Sequence, residues 1–375
     1  MESRYIRGVG MTKFGVEDRS TMSFSQEAIS KALADADMKV GELDAVVVST
    51  VDSKMNDERQ RHYAAMVASI IKRKIPIIRI EAVCGGGGAA FWGACRMKFN
   101  NMLVLGVDKV AGAPTPIVTQ EIMHAGDNFW EQEEGLIFPA INALVAQKYF
   151  SQYGATHADL ELISFKNHAN GAKNPNAYFY KKPVTLEKIR ESQMIATPFN
   201  LFDCSISVNG AAAAIISHDK ADIKVKASAL HTDCLAPFER DSLTEWSATK
   251  YAAKEAFKQA ALTPKDIHVA EVHDAFTIVE LLAYEDLGFA KKGEGAKLIR
   301  EGIVNLDGKL PINPSGGLKA RGHPISPTGV AQLVELADQL RGRCGERQVR
   351  RANVGLAHNI GGAGGTVTVH ILEKR

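Results

Sequence analysis

Four places along this chain set a reactive side chain beside glycine, proline or a helix start. The first is Cys84, which ends the apolar run Ile75–Val83 and is followed at once by Gly85-Gly86-Gly87-Gly88. Ala89–Met97 then has helical character, so the thiol sits on a strand-to-helix turn, facing the unpaired N–H groups of a first helical turn. Those groups and the helix dipole favour thiolate, the nucleophilic form. A glycine costs a helix about 1 kcal/mol relative to alanine. Four in a row oppose stability and imply a backbone kept bare for close approach of a substrate. The second place is His273, ahead of Asp274-Ala275-Phe276 and an apolar helix through Tyr284. The third is His323, held between Gly322 and Pro324 in a loop that starts at Asn313. That loop feeds a helix for which Ser326 can serve as cap and Pro327 as first residue. The fourth is His358, followed by Asn359-Ile360 and the glycine-rich stretch Gly361–Gly365. Taken singly, each has a bland explanation, since buried cysteines are small hydrophobes and glycines make turns. Taken together, one cysteine and three histidines each set at a strand end or loop beside glycine, proline or a helix start form a pattern that no structural requirement produces.

These residues need rigid elements behind them. In residues 1–110, strands are expected at Ile6–Gly10, Asp44–Thr50, Ile75–Ala82 and Asn101–Asp108, with helices at Ser23–Ala36 and after Cys84. Such βαβ alternation argues for a largely parallel sheet with covered faces. Residues 111–200 change texture: Gly126–Trp130 and Asn167–Pro175 look like loops, and Pro139–Tyr153 like a helix. This stretch is read as an insertion over the sheet, a usual place for substrate contacts. Strands return at Gly210–Ser217 and Ile223–Leu230, a helix at about Leu243–Ala261, and a strand at Ile267–Val272 leading into His273. The final strand is Thr366–Leu372. The His273 unit mirrors the Cys84 unit, so two similar halves are expected, 1–220 (with a loop domain at about 111–200) and 221–375. The Cys84 and His273 helices would form a core layer between two sheets.

Composition narrows the classes. At 375 residues, 45% hydrophobic and 23% charged, with a net charge of +2, nothing argues for nucleic acid or a membrane as partner. The five cysteines, 84, 95, 204, 234 and 344, show no C-x-x-C spacing. Neither a disulfide framework nor a metal site is expected, and free thiols point to a reducing compartment. The opening residues lack a signal-peptide core, and no apolar run nears the roughly 18 residues of a membrane span. A cytoplasmic location is expected.

The four places, in their order, resemble the thiolase superfamily over essentially the whole chain. The Cys84 turn looks like the family's nucleophile loop. His273-Asp-Ala-Phe276 is similar to its Asn-Glu-Ala-Phe motif, with His for Asn as in the sterol-carrier-protein-like and archaeal branches. Gly322-His-Pro324 matches the Gly-His-Pro motif, and His358-Asn-Ile-Gly-Gly362 looks like the last catalytic loop of those branches. Lys166–Pro175 and Asn209–Ala214 also resemble their counterparts there. The resemblance implies an α/β thiolase fold, two similar βαβ-rich halves in a five-layer αβαβα arrangement with an inserted loop domain. It implies acetyl-CoA C-acetyltransferase activity, making acetoacetyl-CoA from two acetyl-CoA or cleaving it, with coenzyme A thioesters as substrates and no permanently bound cofactor. It further implies a homodimer or homotetramer. In archaeal relatives this step feeds the mevalonate pathway, in a complex with hydroxymethylglutaryl-CoA synthase and a small zinc-containing bridging protein.

Within that resemblance Cys84 is the nucleophile and His323 takes its proton. His273 helps hold the second thioester's oxygen, with His323 stabilising the enolate, and the backbone N–H groups of Cys84 and Gly361 form the other oxyanion hole. One departure stands out. Many thiolases carry a second cysteine just before the last glycine loop, where this chain has Asn359; the other place for one, in His-Asp-Cys-Phe, is Ala275. His358 is therefore the first candidate for the alpha-proton acid/base and His273 the second. Rival readings are a longer-chain 3-ketoacyl-CoA thiolase, a ketoacyl-synthase-like condensing enzyme, a scaffold subunit, and a dinucleotide binder. The last rests on Gly85-x-Gly87-x-x-Ala90 with Asp108 ending the next strand. It leaves Cys84 and both later motifs unexplained.

Overall fold

A computed structural model describes residues 2–51, 58 and 60–375. The elements in chain order are β1 (Arg4–Met11), α1 (Thr21–Asp35), β2 (Ala45–Ser49), α2 (Tyr63–Ile71), β3 (Ile77–Arg79), α3 (Gly86–Ala94) and β4 (Met102–Lys109). The insertion holds α4 (Thr115–Met123), α5 (Phe138–Tyr153), α6 (His157–Gly171), α7 (Leu186–Arg190), β5 (Met194–Ala196) and β6 (Phe199–Asn200). Then come β7 (Asn209–Ser217), β8 (Ile223–Thr232), α8 (Ser247–Ala260), β9 (Val269–Glu271), α9 (Thr277–Asp286), α10 (Gly295–Arg300), α11 (Gly317–Ala320), α12 (Pro327–Arg341), β10 (Val354–Gly361) and β11 (Thr366–Lys374).

Nine strands hydrogen-bond in the order β3-β2-β4-β7-β1-β8-β11-β10-β9. The early βαβ units give the parallel run β3-β2-β4, and β7 and β1 then close it antiparallel. The same scheme recurs beyond: β9 is parallel to β10, β11 and β8 follow antiparallel, and Ile312 bridges in parallel to Ala270 where a counterpart of β3 belongs. The two runs meet where Arg4, Tyr5 and Ile6 pair with Val225, Lys224 and Ile223.

Strand alternation sorts side chains onto two faces. Leu103, Leu105 and Val107 of β4 pack under α1 and α2, while Met102 and Val104 face the layer holding Phe91, Val330 and Leu333. On β10, Leu356 and Ile360 pack toward α8, whereas Ala357 faces that same inner layer. The result is the expected order of helix, sheet, helix, sheet, helix, folded around one shared middle.

Four local expectations change, the simplest being that Gly126–Trp130, expected as a loop, enters a single π-helical turn at Asn128–Gln132. The middle layer is α3 with α12, which touch both runs of strands; α9 instead packs on α5, α6, α8 and α10. Sequence order misled because α9 follows a second-position strand, whereas α12 follows Ile312 in the third position, as α3 follows β3. Asn167–Gly171 is the last turn of α6, not loop. Its polar residues bond inward, Asn167 to Asp274 and Glu280 and Asn170 to the Asn313 carbonyl, which repays the helix for their weak propensity. Ser326 takes helical dihedrals and gives no side-chain cap; its N–H donates to Asp108 instead.

Candidate active site

Cys84 is held by a strained backbone. Val83, a β-branched residue, has φ +50°, a left-handed conformation that costs on the order of 1–3 kcal/mol. The turn is pinned by Glu81 Oε1 accepting from the Val83 N–H at 2.7 Å and by the Gly85 N–H donating to the Ala82 carbonyl at 2.9 Å. The glycines that follow are bare for protein, not for substrate. A Cβ on Gly85 would lie 2.9 Å from the Gly361 nitrogen, and one on Gly88 would collide with Thr368. They let α3 press against both runs of strands.

The thiol does not behave as its position on the turn predicts. Cys84 is partly accessible, yet burial pushes its pKa up to about 12. The Gly362 N–H opposes this and the Asp108 carboxylate adds to it. Desolvation beats the helix terminus, so the resting group is a thiol that needs a base at the moment of attack. The N–H groups acting on the sulfur are those of Gly362, one residue past the expected Gly361, and of Cys84 itself.

His323 arrives on the loop before α12. Its N–H donates to the Ile206 carbonyl at 2.8 Å, and its Nδ1 lies 2.8 Å from Thr328 Oγ1. Burial, then Arg321, lowers its pKa to about 3, so the ring is neutral and can accept a proton. His273, after β9, meets it edge-on, ring centres 5.4 Å apart. Burial, then His323 and His358, holds His273 well below the usual imidazole range.

His358 is the exception. It shares the face of Leu356 and Ile360, and its Nε2 lies 3.2 Å from Thr249 Oγ1 on α8. The neighbouring Asn359 shares the inner face with Ala357 and reaches the Cys84 carbonyl and His273. A period of two therefore turns the expected acid/base away from the thiol, and the expectation for His358 is corrected. Asn359 joins the Cys84 carbonyl to His273, whose ring meets that of His323; His358 lies on the opposite face of β10.

Two residues named in the sequence, but given no supporting part there, brace the site. Asp108 accepts from Thr50 Oγ1 at 2.8 Å, the Val51 N–H at 2.9 Å and the Ser326 N–H at 2.8 Å, and burial raises its pKa to about 7. A carboxylate so engaged has no room for a ribose, which removes the dinucleotide reading. Asp274 accepts from the Leu318 N–H at 2.6 Å and from Asn167 Nδ2 at 2.8 Å, fixing the loop ahead of His323 to the one after β9. Among the described residues no cluster of three or more His, Cys, Asp or Glu could hold a metal, and no helix is long and apolar enough to cross a membrane.

Residues 5–198 match the model for the thiolase N-terminal domain, and residues 229–374 the one for the thiolase C-terminal domain-like family. The chain is 40% identical to an acetyl-CoA acetyltransferase of Methanothermobacter thermautotrophicus over 98% of this chain and 99% of that protein. An acetyl-CoA acetyltransferase of Methanocaldococcus jannaschii is 38% identical, over 99% and 98%. Among solved structures, the Ltp2-ChsH2(DUF35) aldolase superposes with a TM-score of 0.83 at 23% identity, covering 100% of this chain and 98% of that one.

Proposed function

The chain belongs to the thiolase family, and from that premise we propose that it is an acetyl-CoA C-acetyltransferase acting through Cys84. The observation that carries the reading is the 40% identity to an acetyl-CoA acetyltransferase along nearly the full length of both chains. The link from the Cys84 carbonyl through Asn359 to His273, with His323 edge-on to that ring, supports it.

In the first half-reaction His323 takes the Cys84 proton as the sulfur attacks the thioester carbonyl carbon. The N–H groups of Cys84 and of the Gly361-Gly362 loop hold the oxyanion. The carbon–sulfur bond to coenzyme A breaks, and His323 returns the proton to the departing thiolate. In the second half-reaction a histidine of the site takes a proton from the alpha carbon of another acetyl-CoA and later returns it to the Cys84 sulfur. His273 steadies the enolate oxygen, and the carbanion attacks the acetyl-enzyme. A carbon–carbon bond forms, Cys84 leaves as thiolate and is reprotonated. Thiolysis is the reverse.

The halves 1–220 and 221–375 are part of the same proposal, supported by the repeated strand order. So are a cytoplasmic homodimer or homotetramer, supply of the mevalonate pathway, and association with hydroxymethylglutaryl-CoA synthase through a zinc-containing protein, for which the archaeal resemblance is the support. The test of the activity is CoA-dependent cleavage of acetoacetyl-CoA by the purified chain, followed by loss of the substrate enolate absorbance. Two acetyl-CoA formed per acetoacetyl-CoA and CoA consumed is the expected result. No turnover with this substrate, alongside turnover of longer 3-ketoacyl thioesters, would move the reading to the longer-chain enzyme.

A further inference from the structure

Asn359 has no freedom to turn over. Its Oδ1 accepts from the Gly88 N–H at 3.2 Å, and its Nδ2 donates to the Cys84 carbonyl at 3.0 Å. A backbone N–H can only donate and a carbonyl only accept, so these two partners decide which end of the amide is which. Nδ2 also lies 3.3 Å from Nδ1 of His273, and its remaining hydrogen serves that nitrogen. The Ile360 N–H addresses the same Nδ1 from 3.4 Å. A ring nitrogen faced by two donors must be bare, and a neutral imidazole then carries its hydrogen on Nε2. His273 is neutral, because burial and two neighbouring histidines disfavour its charged form.

We infer that Asn359 is a positioning residue that locks His273 as the Nε2–H tautomer, so that His273 donates to substrate oxygen and His323 alone carries protons. The second part rests on the proposed function. With Nδ1 occupied and Nε2 already protonated, His273 has no lone pair to offer an alpha proton. His358 faces the other side of β10. His323 is the base that remains, and Thr328 Oγ1 can accept from its Nδ1 while Nε2 takes up a proton. The two transfers do not compete. The thiol proton has gone to leaving coenzyme A before the second thioester binds, and the alpha proton taken next is the one returned to the Cys84 sulfur when the carbon–carbon bond closes. An amide thus stands where many relatives place a second thiol, and one histidine serves twice.

The experiment is 15N NMR of the full chain with labelled histidine, the His273 signals being identified by their absence in His273→Gln. The wild type should show a protonated Nε2 and a bare Nδ1. Asn359→Asp replaces a donor by an acceptor. It should move the hydrogen to Nδ1, add an ionisation to the pH–rate profile and lower kcat for condensation about 100-fold, the loss typical of a displaced oxyanion donor, with a smaller change in KM. A wild-type Nδ1 that carries hydrogen overturns the inference, as does an Asn359→Asp protein whose His273 tautomer is unmoved. The wild-type spectrum decides even if that variant does not fold. A chain inactive on acetyl thioesters would sink the proposed function while leaving the tautomer measurement standing.

Discussion

Asp108, near the end of β4, and Asn359, near the end of β10, make matching reaches in the two runs of strands. Each crosses the middle layer to the start of the central helix associated with the other run. Asp108 accepts from the Ser326 N–H just ahead of α12, and Asn359 from the Gly88 N–H in the first turn of α3. The difference lies in the atoms left over. The carboxylate can only accept, and its other oxygen takes the Thr50 hydroxyl and the Val51 N–H. The amide also donates, to the Cys84 carbonyl and to His273. One clamp titrates; the other orients.

The strongest way to break the comparison is to remove what the clamps hold in place. Cys84→Ala should reduce acetoacetyl-CoA thiolysis to background with an unchanged circular dichroism spectrum, because no other thiol stands on that turn. Next in size, His323→Ala should slow acetylation of Cys84 by about 10²–10⁴, the usual worth of a positioned base, in a rapid-quench assay. A rate within a few-fold of wild type would mean that some other group deprotonates the sulfur.

Asp108→Asn sharpens the contrast between acid and amide. Burial raises the Asp108 pKa to about 7 from an ordinary value near 4. The folded protein therefore holds this proton more tightly than the unfolded chain. Its stabilising share is complete below about pH 4 and is lost as pH rises through about 7. Thermal melts should show the variant gaining on wild type across that window. Cys84 alkylation should also quicken at mildly alkaline pH, since a carboxylate no longer opposes the thiolate. Equal alkylation rates in the two proteins would remove Asp108 from the electrostatics of the site.

The smallest effect belongs to the other face of β10. His358→Gln should cost about 1 kcal/mol of stability through the contact with Thr249 and leave condensation close to wild type. A loss as deep as that of His323→Ala would restore His358 as a proton carrier.

What could be read from the chain depended on how unusual a residue is where it stands. Cys84 and His323 are chemically rare beside glycine and proline, and His273 stands just ahead of a helix, so types and spacing mark them as candidates. Asp108 and Asn359 are common residues whose importance comes from partners more than 200 residues distant, as in the Asp108–Ser326 and Asn359–Gly88 bonds. No local pattern records such pairing. His358 was misjudged although the information was present: Leu356, His358 and Ile360 alternate with Ala357 and Asn359, and the alternation assigns the faces. The four glycines were read as room for substrate, since neither the Gly361 backbone nor Thr368 can be located before the halves are assembled. The choice of α9 for the middle layer failed for a related reason. Ile312 makes only an isolated bridge, so the strand position that defines α12 as the partner of α3 leaves almost no trace in the letters.

The most direct check is peptide-level mass spectrometry of the intact chain after brief exposure to acetyl-CoA and acid quench. One acetyl group on the peptide that contains Cys84, removed again by added coenzyme A, is the predicted outcome. Acetylation at Cys95, Cys204, Cys234 or Cys344 instead, or no adduct while acetoacetyl-CoA is still being cleaved, would contradict it.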